Sequence, residues 1–177
     1  LKCGADGRVV AFVEKPKDPK VQAQMVSRDD EKKPYLCSMG IYAFKTQVLI
    51  DILTEHPDFD DFGHDVISHA ISTMPVYGYN FEGYWQDIGT IRSFYETNLA
   101  LTVPNPPFNF YDPRRPIYTH ARFLPGSKIN GAQIDHAVVS DGCIINQAKI
   151  SNSIVGLRML VGAGTELHRV VALGCDY

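Results

Sequence analysis

The C-terminal part of the chain repeats an aliphatic residue at intervals of five or six positions. From residue 127 onward, Gly, Asp, Asn and Ser separate single aliphatic positions, which are 129, 134, 139, 144, 150, 155, 161 and 167. This spacing fits neither the 3.6-residue period of a helix nor the alternation of a flat strand. It is typical of hexapeptide repeats, in which each short strand forms one wall of a triangular coil and the aliphatic side chain points inward. The sequence therefore predicts a parallel β-helix, incomplete at about two coils, rather than an irregular array of β-hairpins.

A proline-rich segment precedes the repeats. The stretch "TVPNPPFNFYDPRRPIYTHARFLPG" holds six prolines between Pro104 and Pro125, so it cannot form a helix and predicts an extended connector. Its aromatic residues give it too much apolar surface for a freely solvated linker, and we expect it to pack against the layer before it. The sequence thus divides into 1–101, a connector over 102–126, and the β-helix over 127–177.

The chain begins with a predicted hairpin. In "KCGADGRVVAFVEKP", Asp6-Gly7 supplies a tight turn, and the valine-rich run after it forms a strand that ends at Glu14 and Lys15. Two charged side chains are therefore expected where a strand stops. The polar stretch 17–34, with "RDDEKK" at its centre, predicts a solvated loop.

Strands then alternate with helices up to the connector. "YLCSMGIYAF" (35–44) predicts a buried strand, and "VYGYNF" and "FEGYWQ" predict further strands. Three amphipathic helices are also expected. The first has an inner face of Val48, Leu49, Ile52 and Leu53, the second of Phe62, Val66, Ile67, Ala70 and Ile71, and the third of Ile91, Phe94, Tyr95 and Leu99. This alternation is typical of a layered α/β sheet, in which site residues lie at strand ends.

Composition excludes several classes of protein. The 17 Lys plus Arg and 20 Asp plus Glu are interspersed without long like-charge blocks and give a net charge of −3. Neither a nucleic-acid footprint nor a membrane-binding stripe is expected, and no apolar run approaches the roughly 18 to 20 residues of a membrane span. The four cysteines show no CxxC pair and no metal-ligand spacing, which indicates reduced intracellular thiols.

Three spots carry groups that suit a sugar phosphate: Glu14-Lys15 at a strand end, Ser38 in "CSMGIY", and Asp87 in "YWQDIGT". Singly, each also fits an ordinary role, since a Glu-Lys pair is usually surface charge and an Asp near a glycine usually stabilises a turn. Together the three spots suit the binding of a sugar phosphate. A lysine can hold a phosphate, oxygen acceptors can hold sugar hydroxyls, and a carboxylate can hold Mg²⁺.

A series of motifs in fixed order then points to one family. "VVAFVEKPKDP", "SMGIYAF", "DFGHDVI", "GYWQDIGTIRSFYETNLALT", "FYDPRRPIYTHARFLPGSKI", "SDGCII", "IVGLR" and the terminal "GCDY" resemble the glucose-1-phosphate adenylyltransferases (ADP-glucose pyrophosphorylases) of the cyanobacterial and plant type. The resemblance covers essentially the whole chain. It implies part of a mixed-sheet, Rossmann-like α/β nucleotidyltransferase domain, followed by the start of a left-handed parallel β-helix.

The resemblance also implies a role for each candidate residue. Glu14 and Lys15 would hold glucose 1-phosphate, with Lys15 on the phosphate, and Ser38 would contact the glucose. Asp87 would lie beside glucose and Mg²⁺ at the catalytic centre. The implied reaction joins glucose 1-phosphate and ATP into ADP-glucose and pyrophosphate for glycogen or starch synthesis, which depends on positioning and charge neutralisation and needs no protein nucleophile.

Further expectations follow from the same resemblance. The enzyme would be an allosterically regulated homo- or hetero-tetramer in the cytoplasm or, in a plant or alga, the plastid stroma. The family's glycine-rich nucleotide loop, with its nearby Arg and Lys, and the second carboxylate at the metal have no counterpart in these residues. We therefore expect the sugar-phosphate half of the catalytic domain, inactive alone, with ATP bound through a half that is missing.

Three alternatives stay open. A related enzyme could act on mannose 1-phosphate or another sugar phosphate, although the connector and "IVGLR" favour the adenylyltransferases. The chain could belong to a non-catalytic regulatory subunit. A hexapeptide-repeat acyltransferase would need a catalytic histidine, and His136 and His168 lie in the repeats, but a lone histidine there is more often a surface residue.

Overall fold

A computed structural model describes residues 1–176. The chain forms two compact units, the first over Leu1–Gly83 and the second beginning at Tyr84. The predicted β-helix includes Tyr177, which lies outside the described residues. The predicted division into 1–101, 102–126 and 127–177 stays a prediction.

The first unit opens with the expected hairpin. Strands β1 (Lys2–Cys3) and β2 (Val9–Ala11) pair antiparallel, and Gly7 takes the positive φ of 80° that the turn requires. On its other side, the amide of Val9 donates a 2.8 Å hydrogen bond to the carbonyl of Val76, so the "VYGYNF" segment runs along β2. Val9 is buried as a result.

Four helical segments follow: α1 (Pro19–Gln24), α2 (Thr46–Glu55), a π-helix (Phe62–Ile67) and α3 (Ser68–Thr73). The first and second predicted patterns are confirmed as helices, and their core is Ile52, Val66 and Ala70. Helix α1 corrects the prediction of a loop over 17–34. Asp18 accepts a hydrogen bond from the amide of Lys20, and Pro19 occupies the first helical turn, which together start a helix.

The predicted buried strand over 35–44 is wrong in this structure. The segment is irregular, its only ladder contact is a single bridge between Val26 and Tyr35, and Ile41 is 78% exposed. The aromatic stretch 81–86 is likewise exposed and unpaired as a strand. A strand needs a neighbouring strand to share its ladder of hydrogen bonds, and over residues 1–176 neither segment has one beyond the single bridge at Tyr35.

The second unit contains the third predicted helix. Helix α4 (Ile91–Ala100) begins at a capping box in which Thr90 and Ser93 satisfy each other's backbone amides. Leu99 is buried as expected, whereas Ile91 is 90% exposed and does not belong to the inner face. Side chains of a helix lie over the turn that precedes them. Ile91 is the first helical residue, so it has no preceding helical turn over which its side chain could pack toward the core.

The proline-rich connector forms no helix or strand, as its sequence predicts. Its aromatic packing is narrower than expected: the ring of Phe108 lies 5.1 Å from Phe110 and 6.4 Å from Tyr84. Tyr111 and Tyr118 are 80% and 91% exposed. Of these aromatic residues, Phe108 and Phe110 make ring contacts, whereas Tyr111 and Tyr118 lie largely in solvent.

The predicted β-helix is confirmed by seven strands: β3 (Lys128–Asn130), β4 (Gln133–Val139), β5 (Ile144–Asn146), β6 (Lys149–Leu157), β7 (Leu160–Val161), β8 (Glu166–His168) and β9 (Val171–Gly174). All pairings are parallel and form three walls. One wall is β3, β5 and β7; a second is β8 with the first halves of β4 and β6; the third is β9 with the second halves.

Register defines the inward columns of the coil, which are Ile129, Ile145 and Val161; Ile134, Ile150 and Leu167; and Val139, Val155 and Ala172. Seven of the eight predicted positions are confirmed in these columns. The prediction for Ile144 is wrong, because register pairs Ile144 with Lys128 and Leu160, outside the inward columns, and it is Ile145 that is fully buried. Ile129 lies in the inward column of Ile145 but, on the first strand of that column, is 48% exposed. Two adjacent isoleucines satisfy a five-to-six period equally well, and only the strand's register selects between them.

The walls meet at corners with left-handed backbone. His136, Asn152 and Arg169 have φ values of 49°, 47° and 54° and follow one another up a single edge. Helix α4 docks on this edge, where the Tyr95 hydroxyl donates a hydrogen bond to the Arg169 carbonyl. Within residues 1–176 no helix has the length and apolar character that crossing a membrane requires.

Candidate functional site

Glu14 and Lys15 lie in the loop that follows β2. The Lys15 ammonium is 2.6 Å from Glu14 Oε1, and the lysine side chain is 87% exposed against 34% for the glutamate. Lys15 has a positive φ of 43°, a conformation that costs energy in a residue with a Cβ and that concentrates at binding sites. The strand end thus presents an exposed ammonium group that is paired with the less exposed carboxylate of Glu14.

Ser38 lies in a turn with Tyr42. Their hydroxyl oxygens are 3.0 Å apart, and the amide of Gly40 donates a 3.1 Å hydrogen bond to Ser38 Oγ. Gly40 has a φ of 70°, which favours glycine there. The turn therefore fixes a hydroxyl pair that can both donate to and accept from a polyol.

The turn at Phe62 and Gly63 joins these two groups. The rings of Phe62 and Tyr42 are stacked with centroids 6.2 Å apart. A Cβ on Gly63 would lie 3.4 Å from Glu14 Oε2, an ordinary van der Waals distance. The first unit therefore brings Glu14, Lys15 and Ser38 around one aromatic turn. We call this region the strand-end site; it consists of Glu14, Lys15, Ser38, Tyr42, Phe62, Gly63 and His64.

His64 lies at the edge of this site. Its Nδ1 is 2.6 Å from Asp65 Oδ1, and its amide donates to Asp61 Oδ1 at 2.6 Å. The hydrogen bond to Asp65, with the negative charges of Asp65, Asp61 and Glu14, raises the pKa of His64. The same hydrogen bond and the amides of Asp61 and Asp60 lower the pKa of Asp65.

Sequence reasoning missed four members of the strand-end site: Tyr42, Phe62, Gly63 and His64. All four lie in "SMGIYAF" and "DFGHDVI", which carried the family resemblance without receiving a role. The signal was the separation of Ser38 and Tyr42 by a glycine turn, which lets the two hydroxyls meet. The approach of the Glu14 carboxylate to Gly63 brings together residues 49 positions apart, and no local pattern reveals it.

Asp87 belongs to the second unit. Its Oδ1 accepts a 2.9 Å hydrogen bond from the amide of Gly89, and the residue is exposed shortly before α4 begins. This is the geometry of a turn aspartate. The carboxylate also fits Mg²⁺ as one hard oxygen ligand, since Mg²⁺ is often held by one or two carboxylates together with waters and substrate phosphates. Over residues 1–176, no three His, Cys, Asp or Glu side chains cluster to hold a metal by themselves.

Two surface cavities in the second unit are lined by none of the predicted site residues. One of about 220 Å³ lies between α4 and the corner at Asn152 and Arg169. The other, of about 610 Å³, is lined in part by Arg122 and Asp176, which form an ion pair of 2.9 Å. The pKa of Asp176 is lowered by that hydrogen bond and charge.

Comparison with known proteins identifies both regions of the chain. Residues 1–103 match the family model described as nucleotidyl transferase, and residues 122–177 match the model of the GLGC left-handed parallel β-helix domain. The chain is 42% identical over 188 aligned residues to the chloroplastic/amyloplastic glucose-1-phosphate adenylyltransferase small subunit of Triticum aestivum. The match covers all of this chain, which spans 40% of that relative's length. With more than half of its residues in the first model, the chain belongs to the nucleotidyl transferase family.

Proposed function

We propose that the protein acts in glucose-1-phosphate adenylyl transfer, in which glucose 1-phosphate and ATP give ADP-glucose and pyrophosphate. The observation that carries this proposal is the 42% identity to the wheat small subunit along the whole chain. The family match over residues 1–103 supports the reaction class.

The strand-end site supports a role in holding the sugar phosphate. Lys15 offers an exposed ammonium for the phosphate, and Glu14 orients it at 2.6 Å. The hydroxyls of Ser38 and Tyr42, 3.0 Å apart, would exchange hydrogen bonds with the glucose hydroxyls, and the Phe62 ring would offer an apolar face to the sugar's C–H groups. The three kinds of contact match the three parts of a hexose phosphate.

Asp87 is proposed as a ligand of Mg²⁺ and as the catalytic carboxylate. Asp87 would hold the ion through its carboxylate, and Mg²⁺ bound there would supply positive charge against the phosphates of the substrates. The hydrogen bond from the Gly89 amide occupies one carboxylate oxygen of Asp87 and restricts the direction of the side chain. The remaining lone pairs of the carboxylate are available to a metal ion. Holding a ligand to within a fraction of an ångström requires such support.

The setting of the reaction is also a proposal. The relative's name places that protein in chloroplasts or amyloplasts and calls it a small subunit. We infer a plastid stroma or cytoplasmic location, a homo- or hetero-tetrameric assembly under allosteric control, and a role in starch or glycogen synthesis.

Calorimetric titration of the protein with glucose 1-phosphate tests the proposal. We expect binding that Lys15→Ala weakens about tenfold, as the loss of a charge-assisted hydrogen bond predicts. Lys128→Ala, which removes an exposed lysine of the β-helix, is the matched control and should bind like the parent. Tighter binding of mannose 1-phosphate would redirect the proposal to a related enzyme, and equal affinities of the two lysine variants would remove Lys15 from the site.

A further inference from the structure

His64 combines three properties that the proposed chemistry does not yet use. It follows Gly63, where an added Cβ would lie 3.4 Å from Glu14 Oε2; its side chain is 80% exposed; and its ring is tethered to Asp65 through Nδ1 at 2.6 Å. Over the described residues, Nε2 has no hydrogen-bond partner. One ring nitrogen is therefore fixed and the other faces solvent beside the strand-end site.

We propose, as an extension that rests on the proposed function, that His64 is a second cation of the sugar-phosphate site and binds the phosphate of glucose 1-phosphate through Nε2 when the imidazole is protonated. Lys15 is the first cation, and Glu14 lies between the two, with Oε1 on Lys15 and Oε2 against the Gly63 turn. A phosphate accepts two such donors readily because it carries several acceptor oxygens.

Protonation reverses what Nε2 offers. With Asp65 accepting the Nδ1 proton, neutral His64 has only a lone pair at Nε2, which repels phosphate oxygens. Adding a proton turns the same atom into an N–H donor on a positive ring. The site therefore gains a phosphate donor without any movement of the backbone.

The groups around His64 favour its protonated form. The charged groups that face it are Asp65 and Asp61 on its own segment and Glu14 from the loop after β2, with Lys15 beyond Glu14. The three carboxylates raise the pKa of His64 above its ordinary value near 6.5. The second cation is thus fully present below the ordinary histidine pKa and is lost as pH rises through the raised pKa.

Binding of glucose 1-phosphate to the full protein between pH 6 and pH 9 tests the inference. The phosphate's own second ionisation, near pH 6, affects every variant equally, so ratios between variants isolate His64. We expect His64→Gln to weaken binding about tenfold at pH 6 and to have little effect at pH 9. His64→Lys should bind tightly throughout, since the lysine stays charged, and His168→Gln in the β-helix is the matched control.

Proton NMR of the imidazole supplies an independent readout. We expect the His64 resonance, identified by its absence in His64→Gln, to titrate above the ordinary histidine range. Saturating glucose 1-phosphate should raise that pKa further, glucose alone should not, and Asp65→Asn should lower it.

The outcomes separate the two proposals. If the parent binds glucose 1-phosphate and His64→Gln follows the same pH profile, or the His64 resonance is unmoved by ligand, the second cation is refuted and the proposed function stands. If the parent fails to bind at every pH, the proposed function is refuted together with this extension.

Discussion

The hydroxyl of Tyr95 donates a 2.6 Å hydrogen bond to the carbonyl oxygen of Arg169, across 74 residues of chain. Tyr95 lies on α4, which begins shortly after Asp87, and Arg169 forms a left-handed corner of the β-helix. This contact fixes α4 on the β-helix within the second unit.

Replacing Tyr95 with phenylalanine removes that hydrogen bond and keeps the ring. We expect the free energy of unfolding to fall by about 1 kcal/mol, the usual net value of a single hydrogen bond, and not more because water reaches the site. Urea unfolding followed by circular dichroism measures the change. Tyr111→Phe, at an 80% exposed ring, is the control, and equal midpoints for the two variants would show that the hydrogen bond contributes nothing.

The inward register of β5 predicts opposite results for two neighbouring isoleucines. Ile145→Ala should cost about 2 to 5 kcal/mol because it leaves a cavity in a fully buried column. Ile144→Ala, at a 40% exposed side chain, should cost less than about 1 kcal/mol. Urea midpoints of both variants decide the matter, and a larger loss for Ile144 would restore the inward position that the repeat period alone predicts.

The last coil leaves no room for a side chain at Gly156. A Cβ there would overlap the carbonyl oxygen of Leu173 on β9, so Gly156→Ala must push β9 off β6. We expect a loss of about 1 to 3 kcal/mol or more, with faster hydrogen exchange in β9. Gly162→Ala is the matched control, since its Cβ would meet nothing within 4 Å and its φ is not in the left-handed region. Unchanged exchange in β9 would contradict the close approach.

Asp87→Asn separates a metal ligand from a turn residue. Asparagine still accepts the hydrogen bond from the Gly89 amide, so the urea midpoint should barely change. In an active enzyme that contains this chain, turnover should fall by on the order of a hundredfold, because the charge that holds Mg²⁺ against the phosphates is gone. Turnover within a few-fold of the parent would leave Asp87 as a turn residue only.

The β-helix shows what local sequence determines well. Its strands are short, each contributes one inward aliphatic residue, and polar or small residues occupy the corners, so the repeat period alone predicts the coil. The hairpin at Asp6-Gly7 and helix α2 follow from equally local signals, a glycine turn and a 3.6-residue apolar period. Near neighbours in the chain supply most of what these elements need.

Tertiary structure decided the features that depend on distant partners. Register chose Ile145 over Ile144, since an inward position exists only relative to the strands above and below. Strand pairing left 35–44 irregular, because apolar composition cannot supply the neighbouring ladder a strand requires. The sequence predicted only part of the strand-end site. Glu14, Lys15 and Ser38 were recognisable by their chemistry. The turn that lies against them, which carries His64, comes from a distant part of the chain, and its packing there is encoded by no local period.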